Sequence, residues 1–303
     1  MKSAVGFAKN TSWSLIFADF KEITKARLSV SVVFSSIAGY FLGASQIDLV
    51  SVALLAFGGY CMVGASNAYN QVIEKDLDVL MNRTKNRPIP SGRMSVNMAM
   101  AIAVALTLLG ILALYILSPK TAMFGAISIF LYTSVYTPLK TKTPLSVFVG
   151  AFPGAIPFML GWVAATNNFG IEAGTLFMIQ FFWQFPHFWA LGWMLDEDYK
   201  RGGFKMLPTG KKDTGTALQI ILYTIWMIVI SIMPAFGFTG RLHLSIPAAI
   251  IVLLSGLVML IFAFRLYEKR DNVSARRLML ASVTYITLIQ IIYVLDKFGH
   301  TLF

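Results

Sequence analysis

Nine stretches of mostly apolar residues leave this chain little choice of fold; they lie at about 26–45, 49–69, 97–117, 121–137, 145–165, 173–195, 216–238, 245–264 and 278–295. A bilayer core about 30 Å thick is crossed by roughly 20 apolar residues in a helix. In lipid only helices and closed barrels satisfy their own backbone. Of the 303 residues 57% are hydrophobic and 13% charged, against about a quarter charged in an average soluble domain. The expectation is an all-α polytopic membrane protein with nine transmembrane helices, forming one integral-membrane domain over residues 1–303.

Charge orients this bundle. Of the 25 Lys and Arg residues, 22 fall in the N-terminal segment and in the loops after spans two, four, six and eight. The other side carries only Lys120, Arg241 and Lys297. By the positive-inside rule the N-terminus is cytoplasmic and the C-terminus outside. The net charge of +11 therefore reports topology in a lipid bilayer, and nucleic acid is not expected as a partner. Residues 1–25 carry Lys2, Lys9, Lys21 and Lys25 but no compact apolar run followed by small residues, so no cleavable signal is expected. Trp13, Ile16, Phe17, Phe20 and Ile23 recur at three- and four-residue steps, as in an amphipathic helix lying on the membrane. The single cysteine, Cys61, can form neither an intramolecular disulfide nor a metal cluster, and reads as packing.

The longest polar connections, 70–96 and 195–215, each open with acids where an apolar helix ends. The helices before them are four apart, a hint of an internal repeat. In the first, NQVIEKDLDVLMNRTKNRPIPSGR, Asn70, Glu74 and Asp78 are spaced four and four. On a continuing helix they share one face, whereas Asp76 lies on another. Such oxygens suit magnesium, which takes one or two carboxylates and completes its shell with water and substrate phosphates. In the second, LDEDYKRGGFKMLPTG, Asp196, Glu197 and Asp198 are adjacent and spacing does not single out the ligands. Gly202 and Gly203 break the helix and let backbone approach a ligand.

Arg83, Lys85, Arg87, Arg93, Lys140, Lys142 and Lys205 fall on the same side as these acids. Metal-suited acids with a surplus of cations fit a large anion carried in with its metal. Diphosphate is such an anion, since guanidinium pairs with phosphate oxygens and lysine adds point charge. Beside a membrane this implies a prenyl diphosphate with its tail among the helices. A plain solvated helix end explains one such cluster better than two in the same order.

The run at 70–78 resembles the Asn-x-x-x-Asp-x-x-x-Asp signature of the UbiA superfamily of intramembrane prenyltransferases. RTKNRPIPSGRM, PHFWALGWM and YKRGGFKMLP resemble its haem-farnesylating branch. The likeness runs from TKARLS at 24–29 to the ninth helix. Glu74 stands where the family has Asp, Ala26 replaces a proline, and Val147 or a neighbour replaces an asparagine; none of these removes charge from the site. The resemblance implies helices around a central cavity, with both acid-rich motifs over its cytoplasmic mouth in the inner membrane. It implies farnesyl diphosphate and haem B as substrates and haem O as product. It also implies contact with haem A synthase or terminal oxidase assembly. Mg2+ would be held by Asn70, Glu74, Asp78 and either Asp196 or Asp198. Arg83, Lys85, Arg87, Lys140 and Lys205 would hold the diphosphate.

His187, in WQFPHFWAL, is an ionisable group inside a span and so a site candidate. It reads either as a buried, hydrogen-bonded histidine or as a haem contact or axial ligand. Phe181, Phe182, Trp183, Phe185, Phe188, Trp189 and Trp193 around it read as packing or as a porphyrin wall. Pro153 and Pro157 read as a kink or close helix contact, and His243 and His300 receive no role. Two other functions compete. One is a related prenyltransferase acting on an aromatic or quinone precursor. The other is a secondary transporter, whose site would lie near the midplane and not at helix ends.

Overall fold

The computed structural model describes residues 13–299, all helix and connection. The expectations on Lys2, Lys9 and His300 lie outside the described residues. A short helix α1 (Trp13–Ile23) leads into α2 (Ala26–Gly43), α3 (Leu49–Ile73), the single turn α4 (Lys75–Asp78), α5 (Val96–Leu117) and α6 (Pro119–Phe130). A π-helical turn (Leu131–Tyr136) and α7 (Thr137–Leu139) continue α6. Then come α8 (Ser146–Thr166), α9 (Ile171–Met194), α10 (Asp196–Arg201), α11 (Thr214–Ile232), α12 (Ile246–Lys269) and α13 (Asn272–Gly299). In α1, Trp13 and Phe17 are exposed while Ile23 is fully buried.

Among the described residues eight helices are long and apolar enough to cross a bilayer. The ninth expected span, α9, has 24 residues, about 36 Å of helix. It falls outside the eight because Glu172, Gln180, Gln184 and His187 dilute its apolar content. These polar groups turn inward. Gln290 Nε2 donates to Gln180 Oε1 at 3.1 Å and pairs with Ser35 Oγ at 3.1 Å. One buried polar chain thus joins α2, α9 and α13, as polar groups away from water must find partners in protein.

Local chemistry sets the helix starts. Asp48, Ser95, Ser118, Asp213 and Ser245 each accept from a backbone N–H one turn on, closing α3, α5, α6, α11 and α12 at their N-termini. Consecutive helices pack on one another, and α2 touches α3, α8 and α13. Pro153 and Pro157 do not break α8. The carbonyl of Pro153, which loses its helical partner to the ring of Pro157, accepts from Ser128 Oγ at 3.3 Å. At the other end of the molecule the Lys297 ammonium donates to the carbonyls of Phe41, Leu42 and Ala44, closing α2.

Candidate active site where α3 and α9 end

The helix carrying the first acids is not continuous. It stops at Ile73, Glu74 takes φ −94°, ψ 8°, and α4 follows. Hydrogen bonding keeps the four-residue step. Glu74 N–H donates to Asn70 O at 2.9 Å and Asp78 N–H to Glu74 O at 2.8 Å. Asn70, Glu74 and Asp78 therefore stay on one face, all buried. Asp76 points away and pairs with Lys75. The same device recurs after α9, where Leu195 at φ −100°, ψ 11° separates Met194 from α10. Two like jogs, each followed by a short acidic helix, give the internal repeat a structural form.

Each buried acid of the first motif meets a cation. Glu74 Oε1 pairs with Lys140 Nζ. Asp78 Oδ2 pairs with Arg87 Nη1 at 2.7 Å, while Asp78 Oδ1 is buried without a hydrogen-bond partner. Asn70 is oriented by Thr137. The Thr137 hydroxyl donates its one proton to Tyr132 O at 2.8 Å, so towards Asn70 it can only accept. It does so from Nδ2 at 3.2 Å, which leaves Asn70 Oδ1 as the end able to accept a cation. The π turn before Pro138 places Thr137 there, an instance of π-bulges gathering at functional sites.

These groups fit a hard divalent cation on two grounds, the orphaned buried oxygen of Asp78 and the oriented amide oxygen of Asn70. Two carboxylates suffice for magnesium when water and phosphate complete the shell. The larger expected set is not assembled. Among the described residues no three His, Cys, Asp or Glu side chains converge as metal ligands.

Asp198 does other work. Its carboxylate accepts from the backbone N–H groups of Asn82 at 2.8 Å and Arg83 at 3.1 Å, stapling the two loops together. Asp196 pairs with Lys200 at 2.8 Å. Gly202 packs on Met81, whose sulfur would lie 3.0 Å from an added Cβ, so its close approach is to the first loop and not to a ligand. Lys205 joins the plate through its backbone N–H to Lys140 O at 2.7 Å and its ammonium to Lys142 O at 3.2 Å. Arg83 lies 5.9 Å from the Tyr199 ring. Lys85 is exposed and donates to Asn82 Oδ1. Arg93 is taken by Asp19 and Glu22 at 2.8 and 2.7 Å, which ties α1 to the first loop.

Hydrogen bonds to a charged group contribute about 1.5–3 kcal/mol each. Asp198→Ala is therefore expected to free residues 79–93, with tryptic cleavage at Arg83 and Lys85 at least about tenfold faster in limited proteolysis. Wild-type cleavage together with a lost metal response would make Asp198 a ligand instead.

Lys25 was not singled out from the sequence. It sits in the left-handed region at φ 46°, a conformation that costs a non-glycine residue on the order of 1 kcal/mol. Asn67 Nδ2 holds Thr24 O at 3.3 Å and Gln71 Nε2 holds Ile23 O at 2.8 Å. Two amides of α3, Asn67 about one turn before Asn70 and Gln71 about one turn before Glu74, thus fix the bend. Burial, and then Arg87, Lys140 and Arg83, push the Lys25 ammonium down to about 7, with Glu74 opposing. The only signal in the sequence was its place in TKARLS.

His187 lies seven residues before Met194, about 10 Å along the axis from the end of α9. Trp183 stacks on it at 4.7 Å, and its Nδ1 meets Ser282 Oγ at 2.8 Å. Phe181, Phe182, Phe185 and Trp189 pack among Phe148, Phe152 and Tyr223 of α8 and α11, which is helix packing.

Long apolar helices ending together on buried acids and matched cations are the architecture of an intramembrane prenyltransferase. Residues 32–288 match the UbiA prenyltransferase family, and the chain belongs to it. A protoheme IX farnesyltransferase of Flavobacterium psychrophilum is 71% identical over 286 residues, covering 93% of this chain and 95% of its own. One from Flavobacterium johnsoniae is 65% identical over 295 residues, 96% of this chain and 98% of its own. Among solved structures, a digeranylgeranylglyceryl phosphate synthase has a TM-score of 0.76 at 15% identity, over 92% of this chain and 98% of its own. A UbiA homologue of Archaeoglobus fulgidus bound to GPP and Mg2+ has a TM-score of 0.66 at 13% identity, over 91% and 99%. These structures share the fold.

Proposed function

We propose that this protein transfers the farnesyl group of farnesyl diphosphate to a vinyl group of haem B, with addition of water, giving haem O and diphosphate. The observation that carries the reading is the oriented Asn70 amide and the orphaned Asp78 oxygen beside the buried Lys140 and the half-buried Arg87, at the mouth of an apolar bundle. The relatives' activity selects the acceptor. Ile171–Met194 then crosses the membrane as a ninth span within one domain. The charge bias supports a cytoplasmic N-terminus and an acid site facing the cytoplasm, and the family resemblance supports the inner membrane. Haem A synthase or the oxidase assembly is the partner that takes up the product.

Asn70 Oδ1, Glu74 and Asp78 would hold Mg2+, which when bound supplies positive charge against the departing diphosphate. Arg87 and Lys140, paired to these acids in the free site, turn to phosphate oxygens. Lys205, Arg83 and Lys25 add charge where the negative charge develops. The C1–O bond of the prenyl diphosphate breaks with its electron pair leaving on diphosphate. A vinyl carbon bonds to C1, and water captures the resulting cation and loses a proton. The apolar walls of the bundle keep water from the first cation.

The test is purified protein in lipid given haem B, farnesyl diphosphate and magnesium, with the haem fraction weighed by mass spectrometry. A hydroxyethylfarnesyl haem that vanishes with EDTA is expected. Unchanged haem from folded protein, with prenylation of an aromatic acceptor, would overturn the assignment of the acceptor.

Lys25 predicts a pH dependence. In the free site it loses its proton near pH 7, and a bound diphosphate favours the ammonium. Below pH 7 the charge is already present, so this group adds no dependence. Above it, binding must take up a proton, and affinity falls by up to about tenfold per pH unit. Lys25→Arg keeps its charge throughout and should flatten the profile. Diphosphate affinity measured from pH 6 to 9 checks this, and equal slopes for both proteins would remove Lys25 from the site.

A further inference from the structure

The imidazole of His187 is held in one protonation pattern by its neighbours on α13. Ser282 Oγ donates to Met279 O at 2.7 Å. A serine hydroxyl has one proton, so with that proton on the carbonyl its oxygen can only accept. The 2.8 Å contact with His187 is therefore Nδ1–H donating to Ser282 Oγ. The lone pair of the neutral ring is then on Nε2, for which no hydrogen-bond partner is found among the described residues. Trp183 fixes the ring plane, stacked at 18°, and its own Nε1–H donates to Ser282 O at 2.7 Å. One turn of α13, residues 279–282, thus sets both the tilt and the tautomer of His187.

We propose that Ser282 is a positioning residue for the porphyrin substrate, holding the proton of His187 on Nδ1 so that Nε2 is presented as a ligand to the haem iron. The proposal rests on the reading that His187 meets haem. A histidine that ligates a metal donates its other N–H to a fixed acceptor, which sets tautomer and orientation together. Ser282 is that acceptor, already in place before any haem is present. His187 lies about 10 Å along α9 from Met194, where α9 gives way to the acidic α10. Ser282 is fully buried, on a helix that also buries Leu278, Tyr285 and Ile289.

The experiment uses the full chain in lipid nanodiscs, titrated with haem B without farnesyl diphosphate, following the iron's absorption bands. Wild-type protein should show the bands of imidazole-ligated iron, and His187→Ala should lose them. Ser282→Ala should weaken haem binding about tenfold and lose most of those bands while the protein remains folded. Ser282→Thr keeps a hydroxyl that can donate to the helix carbonyl and accept from Nδ1, and should restore both. If Ser282→Ala matches wild type while His187→Ala loses the bands, ligation stands and the positioning role is overturned. If His187→Ala leaves the bands unchanged, the reading of His187 itself fails. A defect in Ser282→Ala that threonine does not restore would reduce Ser282 to packing and overturn the proposal as well.

Discussion

Asp78→Asn is expected to lower turnover by about a thousandfold, the size of effect seen when one preorganised electrostatic group is lost from an active site. The amide keeps the shape of the side chain and an acceptor for Arg87, but removes the charge. Asp78 is fully buried, with one oxygen on Arg87 at 2.7 Å and the other unpartnered. Breaking a buried pair can itself cost several kcal/mol, so the chemical and structural effects must be separated. Here the pair ties the last residue of α4 to the loop after it, so loosening is expected in residues 79–93 while the bundle still melts as wild type. The magnesium dependence decides the cause. If the defect came from stranding Arg87, residual turnover should saturate at the wild-type magnesium concentration, and if it came from the lost carboxylate, it should need several-fold more magnesium. Asp76→Asn is the control, because Asp76 is exposed and paired only with Lys75. Turnover within tenfold of wild type in Asp78→Asn would end its role in the chemistry.

A second large effect lies far from the chemistry. Gly161→Val should sharply lower the amount of folded protein recovered from membranes, by tenfold or more. A Cβ at Gly161 would lie against Ser36 O and Tyr40 N and 2.8 Å from the backbone carbon of Gly39, and one at Gly39 would strike Phe158 O. These are backbone atoms of a facing helix and cannot turn aside. Gly39 and Gly43 of α2 are four residues apart, the small-residue spacing that lets two membrane helices touch. Overpacking usually costs about 1–3 kcal/mol and more when backbone must move. Separating α2 from α8 also disturbs the Ser35–Gln290–Gln180 chain. Gly174→Ala is the matched control, since its Cβ would meet nothing within 4 Å. Size-exclusion profiles and thermal melts in detergent check both. A monodisperse Gly161→Val with a wild-type melt would show that the helices can part without loss.

Much of the site was readable because it depends on period. The step of four from Asn70 through Glu74 to Asp78 survives the jog at Glu74, since the i to i+4 hydrogen bonds run through it. Charge along the sequence likewise placed Arg87 and Lys140 on the side of these acids. Sequence spacing does not say where a flexible loop sends its side chains. Asp198, expected as a ligand, accepts from two backbone N–H groups, and Arg93 pairs with Asp19 and Glu22. The position of Lys25 was not readable, because Asn67 and Gln71, two residues that read as ordinary polar positions in a span, hold the bend before it.

The sequence by itself determined the solvent this protein folds in, its helices and their starts, and which acids share a face. Those follow from apolar run length, capping residues and helical period, all of them local. Tertiary structure alone decided which hydroxyl protons are already committed. Thr137 gives its proton to Tyr132 O and so turns the Asn70 amide, and Ser282 gives its proton to Met279 O and so fixes the His187 ring. A hydroxyl has one proton to give, and where it goes depends on which carbonyl packing brings within reach. No run of residues read in one dimension specifies that.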